Sequence, residues 1–156
     1  MIRGPYILIC NDSSGVDVNR VDAYEIAKAR LDKNIWPLFK STSNRKTIMP
    51  GSQCLVYLAG YGRCKGHLIG SATVKEVASV TGRDWVDPCD KALTDLPVNA
   101  LLLDSVERWT PLDIRPLIAD LEFVTVKGSW GVHMQGGCRR IGKRDYELIC
   151  SKHSPA

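Results

Sequence analysis

Residues 53–77, QCLVYLAGYGRCKGHLIGSATVKEV, hold the reading on which the fold turns. Gln53 to Ala59 is a short run dense in Leu, Val and Tyr. His67 to Val77 is a second such run punctuated by glycine, and both have the composition of strands. Gly60 and Gly62 flank Tyr61 between them, in a connection of hairpin type. The two runs are therefore predicted to pair antiparallel. Met49-Pro50-Gly51 supplies the turn that leads into the first.

Upstream, Pro5 to Cys10 is a short apolar run rich in Ile and Tyr, the pattern of a buried strand, ended by the turn residues Asn11 to Gly15. Such a strand delivers Asn11, Asp12 and Ser13 to its rim. From Asn19 to Leu31, Val21, Tyr24, Ala27 and Leu31 recur at helical spacing with Asn19 as N-cap, which predicts an amphipathic helix. Trp36 precedes Pro37, and proline disfavours the helical region in the residue before it. A helix reaching this point ends there, leaving the indole at an element's end, ahead of the polar, basic stretch Lys40 to Lys46.

Downstream, a loop from Ser79 to Pro97 carries Trp85 and Cys89, and Val98 to Trp109 is predicted as a further strand. Pro111 to Leu121 reads as a short helix or turn, Phe123 to Val126 as a short strand, and Asp145 to Cys150 as part of a closing helix that begins near Gly142. Short strands interleaved with a few helices favour an α+β barrel over a doubly wound parallel sheet. A chain of 156 residues suits one domain, here with a core of about 5–150 and loose ends at Met1 to Gly4 and Ser151 to Ala156.

At 44% apolar and 24% charged residues the composition is that of a folded, water-exposed protein. No stretch of about 20 apolar residues offers a membrane span, and no signal-peptide pattern follows Tyr6 to Cys10, so a cytosolic or nuclear protein is expected. The six cysteines are scattered singly, several in apolar runs, and are expected to be free thiols. A net charge of +4 is compatible with a polyanionic partner. The cations gather at Arg45 and Lys46, at Arg63 and Lys65, and most densely at Arg139, Arg140, Lys143 and Arg144.

Little in the chain points to covalent chemistry. Cys64 and His67 have metal-ligand spacing but no second pair completes a site, so no metal or other cofactor is expected. Cys138 with His133 lacks a recognisable oxyanion hole or orienting carboxylate. Asp84 and Asp87 lie in a polar loop, where solvated charge is the ordinary reading. Glycines form neither a phosphate loop nor a dinucleotide fingerprint. The tryptophans are more informative, since Trp36, Trp85, Trp109 and Trp130 each stand beside charged or turn residues. An indole face stacks on a base for roughly 1–3 kcal/mol. Trp36 and Trp85 are the candidates for this, whereas Trp109 reads as core and Trp130 as the anchor of a turn. Asn44, Ser41 and Asn11 are candidate hydrogen-bonding groups for a base edge.

Five segments together resemble the EVE family, a branch of the PUA-like superfamily related to YTH domains: PYILICNDS (5–13), NIWPLFKSTSNRKTIMPGSQCLVYLAG (34–60), GHLIGSATV (66–74), PLIADLEFV (116–124) and SWGVHMQGGCRRIGKRDYELI (129–149). The resemblance implies a PUA-like mixed β-barrel with helices packed around it and a pocket for a flipped, modified base in DNA or RNA. Carried over by position, Trp36 matches the first wall of an aromatic cage, Asn44 the polar position in the loop after it, and Trp85 a second cage tryptophan. Where the YTH pattern has serine directly after the first cage tryptophan, this chain has Pro37, which leaves only its carbonyl as an acceptor. Modified cytosine in DNA is accordingly favoured over methyladenine. Arg139, Arg140, Lys143 and Arg144, with Arg45 and Lys46, are the candidate phosphate contacts. The expected protein is a reader without catalysis, its effector a separate chain. Two alternatives stand beside this: an accessory protein binding modified RNA, and a binder or enzyme for a free modified nucleoside.

Overall fold

The computed structural model describes residues 4–15, 20–81, 85–93 and 95–156. Its first strand, β1 (Tyr6–Cys10), shows why the N-terminal run is apolar throughout. Tyr6, Leu8 and Cys10 enter one hydrophobic cluster and Ile7 the other, so both faces of the strand are covered. The same alternation runs through β5 (Gln53–Leu58), which places Cys54, Val56 and Leu58 on one side and Leu55 and Tyr57 on the other.

The remaining elements, in chain order, are β2 (Ser13–Gly15), β3 (Arg20–Val21), α1 (Ala23–Asp32), β4 (Ile35–Leu38), then after β5 come β6 (His67–Ser79), β7 (Ala92–Leu93) and β8 (Asn99–Asp113). Two 3₁₀ segments, Arg115–Asp120 and Lys127–His133, precede β9 (Cys138–Arg140) and α2 (Lys143–Cys150). Six strands form one sheet in the order β4-β8-β6-β5-β1-β9, with β1 parallel to β5 and every other pairing antiparallel. β2, β3 and β7 form a small second sheet. The register of β6 against β8 shifts at three places, and such bulges bend long strands, curling the sheet into a partly closed barrel. Residues of α1 pack on one face; the 3₁₀ segments and α2 pack on the other.

At Gly70 the two long strands approach so closely that a Cβ there would lie 2.5 Å from the Glu107 carbonyl oxygen. Backbone cannot step aside as a flexible side chain can. Gly70→Ala is expected to lower stability by about 1–3 kcal/mol, the usual cost of overpacking; urea unfolding checks this, and an unchanged midpoint would mean that β6 and β8 separate freely.

Several sequence expectations change. The helix starts at Ala23 with Asp22 as N-cap, its carboxylate accepting from the Glu25 N–H at 2.9 Å; Asn19 lies outside the described residues. Trp36 does not end a helix. It sits within β4 paired with Leu101, and is 2% exposed. β8 runs past Trp109 to Asp113 and takes in Pro111, tolerated because β4 covers only Asn99 to Leu102 on that side. Phe123 to Val126 is not a strand, because the Glu122 and Phe123 N–H groups are satisfied by the buried Asp145 carboxylate, each at 2.9 Å. The C-terminal residues are held: the Thr110 N–H donates to the Ser154 carbonyl at 2.9 Å, the Ala156 N–H to that of Arg108 at 3.1 Å, and His153 stacks on Trp109. All six cysteines are free thiols, and among the described residues no helix is long and apolar enough to cross a membrane.

Candidate functional site

Where β1 ends, the chain leaves the sheet and Asn11, Asp12 and Ser13 form one wall of an open cavity of about 320 Å³, within the size range of ligand pockets. Ile9, Ile26 and Phe39 supply its apolar surface, and Arg30 and the exposed Asp95 its charge.

Arg30 is the unusual member. It projects from the buried face of α1, where it lies with Ala23, Ile26, Ala27 and Leu31. Its Nη2 lies 2.7 Å from Asp87 Oδ2 and its Nε 3.2 Å, with the two side chains 7% and 3% exposed. The other Asp87 oxygen accepts from the Cys89 N–H at 3.0 Å. The guanidinium carbon lies 5.2 Å from the centre of the Trp36 ring. A guanidinium carries five N–H donors. Nη1 makes no hydrogen bond to a described residue, so Arg30 meets the cavity with donors to spare.

Asp12 has a different task. One oxygen accepts from the Ala23 N–H at 3.0 Å and the other from the Tyr61 N–H at 2.8 Å, tying the start of α1 and the β5–β6 loop to the end of β1. Gly60, at φ +80°, leaves the room this carboxylate needs: a Cβ there would come within 2.3 Å of it. Cys10 lines the cavity too, but burial pushes its thiol up to about 12, so it is neutral near pH 7 and a poor nucleophile.

Two further openings are lined by described residues. A cleft of about 370 Å³ shares Asn11 with it and is bordered by Tyr57, Tyr61, Lys65, Trp130 and Gln135. A shallow, basic depression of about 440 Å³ is formed by the loop after Phe39, with Lys40, Asn44, Arg45 and Lys46. That loop is fixed by the Asn44 amide, which donates to the Cys138 carbonyl at 3.0 Å, and by Arg45, 3.4 Å from the Asn99 side-chain oxygen. Lys40 and Lys46 are exposed and have no carboxylate partner among the described residues.

The structure thus gathers some of the expected site residues and separates others. Asn11 lines the cavity, and Trp36 lies behind Arg30 rather than on the surface. Pro37 is buried in β4 opposite Ala100. Asn44, Arg45 and Lys46 line the basic depression, with exposed Ser41 in the same loop. Trp85 is half-buried, borders none of these openings, and its indole N–H is enclosed without a partner among the described residues.

The Arg139–Arg144 cluster lies apart from the cavity. Arg140 pairs with Tyr6 and Arg139 with Ile7, toward the start of β1, whereas the cavity is beyond its end. Much of this charge is occupied: Arg139 lies over Phe123 and donates to its carbonyl, Lys143 faces Glu147, and Arg144 donates to the Asp120 carbonyl and faces Glu122. Exposed Arg140 has no such partner among the described residues.

Asp87 is the partner of Arg30, and Asp84 lies outside the described residues. The His133 Nε2 accepts from the Val126 N–H, and no hydrogen bond joins it to Cys138, whose thiol burial raises to about 12. Among the described residues no group of three metal-binding side chains occurs. The reading by residue type missed Arg30, Phe39 and Tyr61; it took Asp87 for solvated charge, and Lys65 only as one of a cluster of cations with Arg63. Only Arg30 carried a signal, as a charge on the apolar face of a helix.

The curled mixed sheet with helices on both faces is a PUA-like fold. Structures similar to it include ASCH from Zymomonas mobilis, 12% identical at a TM-score of 0.63 over 98% of each chain. The YTH domain of the Zygosaccharomyces rouxii MRB1 protein, in complex with N6-methyladenosine RNA, is 11% identical at 0.56 over 94% of this chain and 85% of that one. The N-terminal domain of Thermococcus gammatolerans McrB bound to m5C DNA is 12% identical at 0.53 over 95% and 98%. No protein-family model and no curated protein sequence matches the chain.

Proposed function

We propose that the chain is an EVE-type nucleic-acid-binding module that reads a modified base, with modified cytosine in DNA as its preferred target, by taking the extruded base into the cavity at the end of β1. The observation that carries this reading is Arg30: a buried, anchored guanidinium with unused donors on the wall of a nucleoside-sized cavity. Extruding a base from a duplex costs a few kcal/mol, recovered through stacking and hydrogen bonds to its Watson–Crick edge. Phe39 provides the stacking surface, Arg30 donates to a ring carbonyl, and Asn11 or Asp95 accepts from an exocyclic amine. Cytosine carries that carbonyl and that amine on one edge, either side of a ring nitrogen, whereas adenine has no ring carbonyl.

Phosphates would be met on one flank by Lys40, Arg45 and Lys46 and on the other by Arg63 and Lys65, the positional half of nucleic-acid recognition. Two of the similar structures hold a nucleic acid with a methylated base, m5C DNA in one and N6-methyladenosine RNA in the other. Binding without catalysis is part of this reading, and the thiol on the cavity wall, held neutral by burial, offers no ready nucleophile against it.

Fluorescence anisotropy at two salt concentrations tests this, with matched DNA and RNA strands carrying methylcytosine, hydroxymethylcytosine, methyladenine or no modification. The expected result is at least a roughly tenfold preference for modified cytosine in DNA, about 1.4 kcal/mol. Replacing Lys40 and Lys46 together by Ala should weaken all strands alike and reduce the salt slope by about 1.8 on duplex DNA, two phosphate contacts' worth. Equal binding to every strand would sink the reading, preference for RNA would transfer it to modified RNA, and a free nucleoside binding as tightly as an oligonucleotide would replace it with a nucleoside site.

A further inference from the structure

We propose that the cleft beside the cavity is a second nucleoside subsite, which takes the base adjoining the extruded one when the target is single-stranded; this rests on the reading of the cavity as a base pocket. Asn11 lines both openings, so a strand with one base in the cavity would pass over Asn11 to reach the cleft. The cleft has the parts such a base requires. Tyr61 is 79% exposed and Trp130 half-buried, giving two aromatic surfaces, and stacking on aromatic rings is the sequence-tolerant way of holding a base.

Polar groups are present as well. Tyr57 is buried and lines the cleft, and its hydroxyl makes no hydrogen bond to a described residue, which leaves it free to serve a ligand there. Burial raises this phenol to about 12, with Asp113 adding to the effect, and it therefore stays a hydrogen-bond donor at neutral pH. The exposed Gln135 amide offers both a donor and an acceptor.

Charge favours a nucleotide over an uncharged aromatic ligand. Lys65 Nζ lies 4.8 Å from the Tyr61 ring centre and Arg20 5.5 Å from it. Arg20 faces Asp12, but Lys65 has no carboxylate partner among the described residues. Its charge is held at the cleft by a neutral ring and is available to the phosphate joining the two nucleosides.

The test uses the whole chain and single strands in which the nucleotide on either side of the target base is replaced by an abasic unit, each made with modified and with unmodified target base. In the unaltered protein, removing the base on one side should weaken binding about 5- to 150-fold, the equivalent of 1–3 kcal/mol of stacking. Tyr61→Ala, at an exposed position that leaves the fold intact, should reduce this penalty while the ratio of modified to unmodified binding stays the same. Tyr57→Phe keeps the packing and should remove a smaller share of the penalty. No abasic penalty on either side would overturn the proposal, and so would a Tyr61→Ala loss equal for intact and abasic strands. Because the penalty is also read on the unmodified strand, failure of the modified-base preference would appear separately.

Discussion

Asp87→Ala is expected to cost about 3–5 kcal/mol of stability, because it strands the Arg30 guanidinium as an uncompensated buried charge. The pair is far from a surface salt bridge, with both side chains almost fully enclosed and the carboxylate also holding the Cys89 N–H. Breaking it therefore leaves two unsatisfied donors on Arg30 and one on the backbone of the 85–91 loop, and that loop loses its tie to α1. Urea unfolding measures the loss directly. A change below about 1 kcal/mol, the range of exposed pairs, would mean that water reaches the pair. Arg30→Met combined with Asp87→Leu removes both charges and should recover most of the stability, since apolar replacements of buried pairs are often neutral or stabilising. The same double variant should bind nucleic acid weakly and without modified-base preference. Recovered stability with lost discrimination separates the role of Arg30 at the cavity from its role in the fold.

The strands that carry the fold were legible because their faces are covered in a way that leaves a trace in the sequence. β1 and β5 are buried on both sides and read as unbroken apolar runs, while β6 and α2 have clear punctuation. What escaped was decided by partners remote in sequence. Phe123 to Val126 has strand composition, but the Asp145 carboxylate, 22 residues on from Phe123, captures its first N–H. Nothing local in Ser151 to Ala156 announces that these residues pair with β8. The site divides likewise. Asn11 could be placed at a rim from the end of a strand alone, whereas the Arg30–Asp87 pair joins positions 57 residues apart, and no periodicity reports its partner. The Arg139–Arg144 run was conspicuous as charge, yet charge density in a sequence does not reveal how much of it is already paired. Trp36 was singled out for its polar neighbours, but Pro37 and Leu38 are buried with it in β4 and take it into the core.

That burial sets the outcome of Trp36→Ala. Emptying a site 2% exposed by an indole-sized volume costs about 3–5 kcal/mol, a large part of the 5–15 kcal/mol typical of a domain. The variant should therefore unfold at markedly lower urea concentration, and its binding is best measured at low temperature where the folded fraction is high. Losing the ring also removes the surface beneath the Arg30 guanidinium, 5.2 Å away, so modified-base preference should fall even in the folded fraction. Trp36→Phe separates these effects. Phenylalanine retains an aromatic face for the guanidinium and most of the apolar volume, so the preference should persist while stability drops by a smaller amount. If Trp36 stacked on the base itself, Trp36→Phe would weaken modified and unmodified targets by different factors at nearly unchanged stability, and Arg30→Met would leave that ratio alone. If it acts through Arg30, the preference vanishes with Arg30→Met and follows Trp36 only as far as Trp36 holds the guanidinium in place.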